Sequence, residues 1–483
     1  MPASRPAPVR SHRDYLRVIV VTAGIGWAVL FVAIGLRYAL QLYGDGAMFS
    51  YSVAVQDVWA FHWHNISGRL TPYFLSLAPA EAFITLTGNA SGGIVVYGLL
   101  FFVMPLLGLL ATFAADRSTD RIVFSFACCS TAVLAPLVFG FPTEMWMAHA
   151  LFWPALAVAH HARHGTVGIA LVFITQLSLI FTHEAAFVLA AVIVGTVALR
   201  GVREPEFLRV AGTLLAALSI WVAVKAIFPP DDYFAGVYVR AALGFFDGAL
   251  IHSGLLVLLV AAIVGYGLIA TILTRFTPRA PIYAAIMVGA ALAVYWLGFD
   301  HMLHASNRYY MRTVLVIVAP ILGALAAVYA LDADGQLRLV KPLLSRGMAV
   351  IARVPARTFT GLFLLVMLVH AVETLKFVSA WTNYKFAVRE LATGSLSDPA
   401  LGDSRFLSSD RIGPALNRLS WFSTTLYLST VLADFAPARL VVDPASNYFW
   451  LSCATATANL NADRAVSRET RALVRTYACQ HRP

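Results

Sequence analysis

Residues 17–46, RVIVVTAGIGWAVLFVAIGLRYALQLYGDG, decide the fold class. Arg17 opens a run from Val18 to Leu36 that holds no charge, Arg37 closes it, and Tyr43-Gly44-Asp45-Gly46 follows. A helix that crosses about 30 Å of hydrocarbon needs roughly 20 apolar residues, and this run supplies them. Arg5, Arg10, Arg13 and Arg17 ahead of it give the stretch the outline of a signal peptide. The apolar run is longer than the roughly 7–15 residues of a cleavable segment, however, and no small-x-small site follows cleanly. The reading is an uncleaved first span with its N-terminus inside.

The rest of the chain agrees. It has 483 residues, 59% apolar and 12% charged, where soluble domains carry about 25% charged and 45–50% apolar residues. Too little polar surface remains to coat a water-soluble globule, which excludes a cytosolic enzyme, a secreted disulfide scaffold and a disordered chain. Apolar runs recur near 17–38, 93–114, 121–140, 146–161, 166–182, 185–199, 208–228, 253–274, 281–298, 311–331 and 358–379, those at 146–161 and 185–199 being short. The expectation is an all-α polytopic membrane protein of about 11 transmembrane helices. Counted from an inside N-terminus, the inner loops hold Arg117, Arg121, Arg163, Arg200, Arg203, Arg209, Arg275, Arg279 and the segment from Arg338 to Arg357. The outer loops hold few basic residues, as the positive-inside rule requires. A net charge of +10, scattered between spans rather than gathered on one face, gives no reason to expect nucleic acid as a partner. Ala- and Arg-rich usage with few Lys points to a bacterial inner membrane.

An odd number of spans puts the C-terminus outside. Composition changes there, so residues 1–379 read as the transmembrane module and 380–483 as a small C-terminal α+β extracytoplasmic domain. Leu416–Phe435 suggests helix, and Ala438–Val442 suggests a short buried strand. On an oxidising side Cys453 and Cys479 are candidates for a disulfide, the alternative being two unrelated thiols. Cys128 and Cys129 lie inside a span and read as packing residues.

Charges near spans are costly and often functional, and the acidic ones collect in the outer loops. Asp45 lies between glycines that permit a sharp turn at the membrane surface. The loop that follows, about 46–86, is aromatic and too polar to cross; it reads as two helices lying along the outer surface, joined at His62-Trp63-His64-Asn65-Ile66-Ser67-Gly68-Arg69. Glu144 is the only charge in its short loop, and His183-Glu184 occupies a tight turn. The loop near 229–252 holds Asp231, Asp232, Arg240, Asp247 and His252, and Asp300 to Arg312 contains His301, His304, Arg308, Tyr309, Tyr310 and Arg312. Carboxylates, imidazoles and arginines on one side suit an anionic, lipid-linked substrate.

This layout resembles the GT-C superfamily of integral-membrane glycosyltransferases: a first span ending in an Asp-containing loop, two surface helices, further acidic outer loops and a C-terminal outer domain. The carrying motifs are Gly44-Asp45, His64-Asn65-Ile66-Ser67-Gly68-Arg69 and His183-Glu184, and the likeness covers most of 15–380. Several GT-C families pair two acidic residues in the first loop; here Asp45 stands alone, so no single family is singled out. The resemblance implies a sugar on a polyprenyl phosphate, transferred with inversion to a glycan or lipid-linked acceptor. Asp45 is then the general base, Arg308, Arg312 and Arg69 with Tyr309 and Tyr310 hold the phosphate, and Glu144, His183 and Glu184 orient sugar or acceptor. No cofactor or metal is obligatory, a divalent cation between Asp45 and Glu144 being the open alternative.

Each residue has a structural rival. Asp45 caps a helix in that reading, Arg69 snorkels or pairs with Asp57, Glu144 is solvated, His183-Glu184 caps the next span, and Arg308/Arg312 hold ordinary headgroups. Asp332-Ala333-Asp334 lies in too short a loop for a nucleotide domain. His160, His161 and His164 have no carboxylate near them in sequence and read as a basic anchor. The competing functions are a lipid-linked sugar flippase or transporter without chemistry and a lipid-linked glycan ligase or polymerase. A transporter places charges at the midplane of several spans, whereas the runs at 18–36, 93–114, 122–140 and 281–298 are essentially free of them.

Overall fold

The computed structural model describes residues 12–56, 58, 69–134, 143–162, 165–227, 254–299, 308–332, 354–394, 406–421 and 424–443. Every apolar run named above carries a helix. In chain order they are α1 (His12–Arg37), α2 (Asp45–Ala54), α3 (Ala78–Thr87), α4 (Ala90–Phe102), α5 (Met104–Ala115) and α6 (Ile122–Leu134). The series continues with α7 (Glu144–His161), α8 (Thr166–Ile180), α9 (Ala186–Ala198), α10 (Pro205–Ile227), α11 (Gly254–Leu273), α12 (Ala280–Gly298), α13 (Arg308–Leu331) and α14 (Ala356–Thr393). Then come a strand β1 (Phe406–Ser408), a short helix α15 (Thr425–Leu432) and a strand β2 (Leu440–Val442). Among the described residues six stretches are long and apolar enough to cross a membrane: Asp14–Arg37, Ala90–Ala115, Pro205–Ile227, Leu255–Leu273, Ala280–Gly298 and Ala356–Thr393. The protein is therefore a mostly helical, multi-pass membrane protein with little sheet.

The run at 93–114 is two helices in one span, because Pro105 in the first turn of α5 cannot donate the backbone bond that would continue α4. α7 is buried along nearly its whole length, including Trp146, Trp153 and Leu156. It sits among protein helices rather than lipid, which is why a length of 18 residues and a Pro154 suffice. α1 and α6 approach closely: a Cβ on Gly24 would lie 2.4 Å from the Cys128 carbonyl oxygen. Cys128 is thus a small residue in a tight helix contact, as the sequence suggests, and a side chain at Gly24 would force the two helices apart.

α14 does not end near 379. At 38 residues it is about 57 Å long, well beyond the ~30 Å hydrocarbon layer. Polar residues accumulate after Glu373, but Phe377, Trp381, Tyr384, Val388 and Leu391 keep a buried stripe at helical spacing. Onto that extension the C-terminal segment packs. The expected strand exists: Leu440–Val442 is buried and pairs in parallel with β1, Phe406 opposite Leu440 and Ser408 opposite Val442. The expected 416–435 helix is shorter, since Trp421 lies in an irregular connection before α15.

The segment that follows α1 also differs from expectation. α2 stops at Ala54 and is not a surface helix: Phe49, Ser50, Tyr51, Ser52 and Val53 are buried. Tyr51 packs on Tyr427 of α15 at 5.3 Å between ring centroids, and Phe49 faces Tyr97 of α4 at 6.3 Å. The aromatic spacing that suggests an interfacial helix is here a two-sided core contact.

At the other end of the bundle, the turn between α5 and α6 is built on Asp116, whose side chain is inaccessible. Its Oδ1 accepts from the Ser118 hydroxyl at 2.6 Å and the Ser118 N–H at 2.9 Å, and its Oδ2 accepts from the Phe124 N–H at 3.0 Å. His161 Nε2 lies 3.4 Å away. The His160/His161 turn thus meets a carboxylate from a loop distant in sequence, and His160 pairs with Thr196 at 3.0 Å. Burial works against the Asp116 charge, but the nearby His161 ring and the hydrogen bonds from Ser118 and Phe124 outweigh it and hold the carboxyl well below the usual range. A depressed folded pKa contributes stability that is present above the ordinary value near 3.8 and is lost as pH falls from there through the lower folded pKa. Asp116→Ala is therefore expected to destabilise the protein by about 1–3 kcal/mol at pH 7. Thermal unfolding in detergent at about pH 7 and about pH 2 checks this: the gap between wild type and variant narrows only below the ordinary carboxylate pKa.

Candidate functional site

Asp45 owes its place to Gly44, whose φ of 58° and ψ of −136° fall in a region essentially restricted to glycine. The chain turns there directly into α2, and Asp45 occupies the first turn, where helix N–H groups favour a carboxylate. Gly44 is the N-cap residue, so Asp45 is not the cap that its structural rival requires. Its Oδ1 instead accepts a hydrogen bond from Trp421 Nε1 at 3.1 Å. Trp421 reaches across 376 residues of sequence. Its neighbour Ser420 is tied to Asp443 Oδ2, just after β2, at 2.6 Å. The floor under this turn is aromatic: Tyr43 meets Phe377 and Trp381, each at 5.1 Å, and Trp381 Nε1 donates to the Tyr38 carbonyl at 3.0 Å. Lys385 Nζ donates to the same carbonyl.

A buried ion cluster lies at the same end of the bundle, within electrostatic reach of Tyr97 as Asp45 is. Arg69 donates to Glu184 Oε2 from Nη2 at 2.7 Å and from Nε at 3.1 Å, and its Nη1 lies 3.3 Å from Glu144 Oε1. The three side chains are 14%, 8% and 6% exposed. Arg69 is steered there by Thr71, whose N–H and hydroxyl donate to the carbonyls of Phe181 and Ser178 at the end of α8. Glu144 sits in the first turn of α7 and Glu184 just ahead of α9. His183 faces its neighbour at 3.8 Å from Glu184 Oε2, and its Nδ1 accepts from the Ala185 N–H at 3.0 Å. Burial opposes the Arg69 charge, yet attraction to Glu184 and Glu144 outweighs that and keeps its pKa above the ordinary value. Among the described residues Arg69 is paired with Glu144 and Glu184, Asp57 lying outside that set, and Glu144 is not a solvated loop residue.

Tyr97 of α4 connects the two halves electrostatically. It is fully buried, feels both Glu144 and Asp45, and its hydroxyl has no hydrogen-bond partner among the described residues. Lys225 of α10 lies within electrostatic reach of Glu184 and Arg69, with its ammonium 5.4 Å from the Trp221 ring centroid. Sequence reading missed Trp421, Tyr97 and Lys225. Lys225 closes an apolar run and was readable as a charge at a span end, whereas a lone Tyr within a span and a Trp in the C-terminal segment carry no such signal.

The structure thus brings Asp45, Arg69, Glu144, His183 and Glu184 to one end of the bundle. Arg308, Tyr309, Tyr310 and Arg312 begin α13, but their side chains lie outside the described set. So do the loop with Asp231, Asp232, Asp247 and His252, the His62/His64 stretch, Asp334, His164, and Cys453 with Cys479. Among the described residues no three His, Cys, Asp or Glu side chains form a metal-holding group. A second polar patch lies deeper, on α14: Glu373 is fully buried, accepts from Trp296 Nε1 at 3.0 Å and pairs with Lys376 at 3.3 Å, one turn from buried His370.

No family model, curated protein or solved structure matches the chain. The arrangement itself is therefore what speaks about chemistry. A half-buried carboxylate at a helix N-terminus, held by an indole N–H, can accept a proton. A fixed Arg between two carboxylates can set the shape of a polar recess. An unsatisfied buried hydroxyl can hydrogen-bond a polar ligand.

Proposed function

We propose that the protein is an integral-membrane glycosyltransferase of the GT-C type. It moves a sugar from a polyprenyl-phosphate donor to a glycan or lipid-linked acceptor outside a bacterial inner membrane. The observation that carries this reading is the meeting of Asp45, Tyr97, Arg69, Glu144, Glu184 and Trp421, from six separate stretches, at one end of the helix bundle. In this reading the N-terminus is cytoplasmic and the C-terminal segment periplasmic, as the loop charges suggest, and about eleven helices cross the bilayer.

In the transfer step the acceptor hydroxyl oxygen bonds to the anomeric carbon from the face opposite the phosphate. Its proton passes to the Asp45 carboxylate as the carbon–oxygen bond to phosphate breaks, and polyprenyl phosphate leaves with the electron pair. Trp421 is a positioning residue that fixes the carboxylate's direction. Arg69 acts through Glu144 and Glu184, because its charge is already matched by two carboxylates, and Arg308 and Arg312 are left as the phosphate ligands. Glu144, His183 and Glu184 orient the sugar or the acceptor. No obligatory cofactor is assigned.

The second reading, a flippase, draws on the buried Glu373 and His370 in α14. It is weaker, since Glu373 is already held by Trp296 and Lys376. Proteoliposomes loaded with polyprenyl-phosphate sugars separate the two. Transfer releases free polyprenyl phosphate only when acceptor is present, whereas a flippase changes the leaflet of the intact lipid and releases none.

A further inference from the structure

A groove of about 530 Å³ opens between α1, α12 and α14. Ile19, Ile282, Ile286, Leu364 and Leu368 wall it, and Tyr15 and Arg357 stand at one end. That end is remote from Asp45. On α14, Arg357 precedes Trp381 by 24 residues, about 36 Å of helix, and Trp381 is bonded to Tyr38 at the Asp45 side. On α1, Tyr15 precedes Arg37 by 22 residues, about 33 Å. The groove and the Asp45 cluster thus lie on opposite membrane surfaces.

Its length is informative. From Arg357 to Leu368 the wall of α14 runs 11 residues, about 16 Å, close to half of the ~30 Å hydrocarbon thickness. The groove therefore runs from the interface to the bilayer midplane, the depth of one acyl chain in one leaflet. Its mouth is basic: Arg357 is exposed and engages no carboxylate among the described residues, and Arg279 is the N-cap residue of α12, two positions before Pro281 in the lining.

We propose that this groove binds one anionic phospholipid of the leaflet opposite Asp45, an acyl chain along α14 and the headgroup phosphate on Arg357. Guanidinium groups bind phosphate through paired N–H donors, and Arg279, at the N-terminus of the lining helix α12, adds positive charge that favours a headgroup with net negative charge over a zwitterion. The bound lipid fills a gap between three spans and clamps α1 to α12 and α14. This site is independent of the transfer chemistry.

Native mass spectrometry of the full-length protein in detergent, titrated with dioleoyl-phosphatidylglycerol or dioleoyl-phosphatidylcholine, tests it. Wild type retains phosphatidylglycerol in preference to phosphatidylcholine. Arg357→Ala weakens phosphatidylglycerol binding roughly tenfold, and Ile286→Trp, which fills the groove, removes the adduct. Asp45→Asn binds phosphatidylglycerol as wild type does. Arg357 is exposed, so its variant folds and reads the site even where the Trp variant does not. Equal phosphatidylglycerol binding by wild type and Arg357→Ala overturns the proposal, as does displacement of the phospholipid from this groove by an equimolar polyprenyl phosphate.

Discussion

Asp45→Asn is expected to lower transfer from a polyprenyl-phosphate sugar by about 10²–10⁴-fold while leaving insertion and lipid binding intact. The amide has nearly the shape of the carboxylate and still accepts from Trp421 Nε1, so the turn at Gly44 and the packing of α2 are retained. What disappears is the ability to take the acceptor's proton as the new bond forms. The effect should fall on kcat, with KM little changed, because Asp45 acts in the transition state rather than on donor affinity. Initial rates at saturating donor, together with the affinity of the variant for polyprenyl phosphate, check this. Trp421→Phe gives the complementary reading. It leaves the carboxylate and removes the N–H that directs it, so the expected loss is smaller, roughly 10–100-fold for one hydrogen bond to a carboxylate, again on kcat.

Arg69→Ala carries the second large effect, and here the loss is in stability before activity. Arg69 is the shared partner of Glu144 and Glu184, both less than a tenth exposed. Removing it leaves two buried carboxylates without the cation that contacts both, a change that costs about 3–5 kcal/mol when one partner of a buried pair is deleted. Arg69→Lys is expected to recover part of this, since an ammonium supplies the charge but not the fork that reaches both Glu144 and Glu184. The combined replacement of Arg69 by Met and both Glu by Gln removes the unpaired charges, and should be more stable than Arg69→Ala while remaining inactive. Thermal unfolding of the four proteins in one detergent separates these cases. A variant Arg69→Ala as stable as wild type would mean that the cluster is solvated and does not act as a buried ion cluster.

How much of this was legible beforehand depended on the kind of signal. The spans were readable because each needs its own run of apolar residues, and every run became a helix. The end of α14 was not: hydropathy falls after Glu373, but a helix outside the membrane needs only one apolar stripe, and Trp381, Tyr384 and Val388 supply it. α2 was misplaced for a related reason. Its aromatic composition fits a membrane interface and a buried contact equally well, and only the arrival of α15 on its far side decides between them. In the site, Asp45, Arg69, Glu144 and Glu184 could be picked out because charges beside spans are rare. Their pairing could not, since Arg69 meets partners 75 and 115 residues away in sequence. Trp421 and Tyr97 are ordinary residues made special by position alone.

The central claim is that a lipid-linked sugar phosphate sits beside Asp45, and photocrosslinking tests it most directly. A polyprenyl-phosphate sugar carrying a diazirine next to the phosphate, activated on the reconstituted wild-type protein and followed by peptide mapping, is predicted to label peptides containing Asp45, Tyr97 or Trp421, in competition with unlabelled donor. Labelling confined to the lipid-facing surfaces of α10 and α12, unchanged by unlabelled donor, would contradict it.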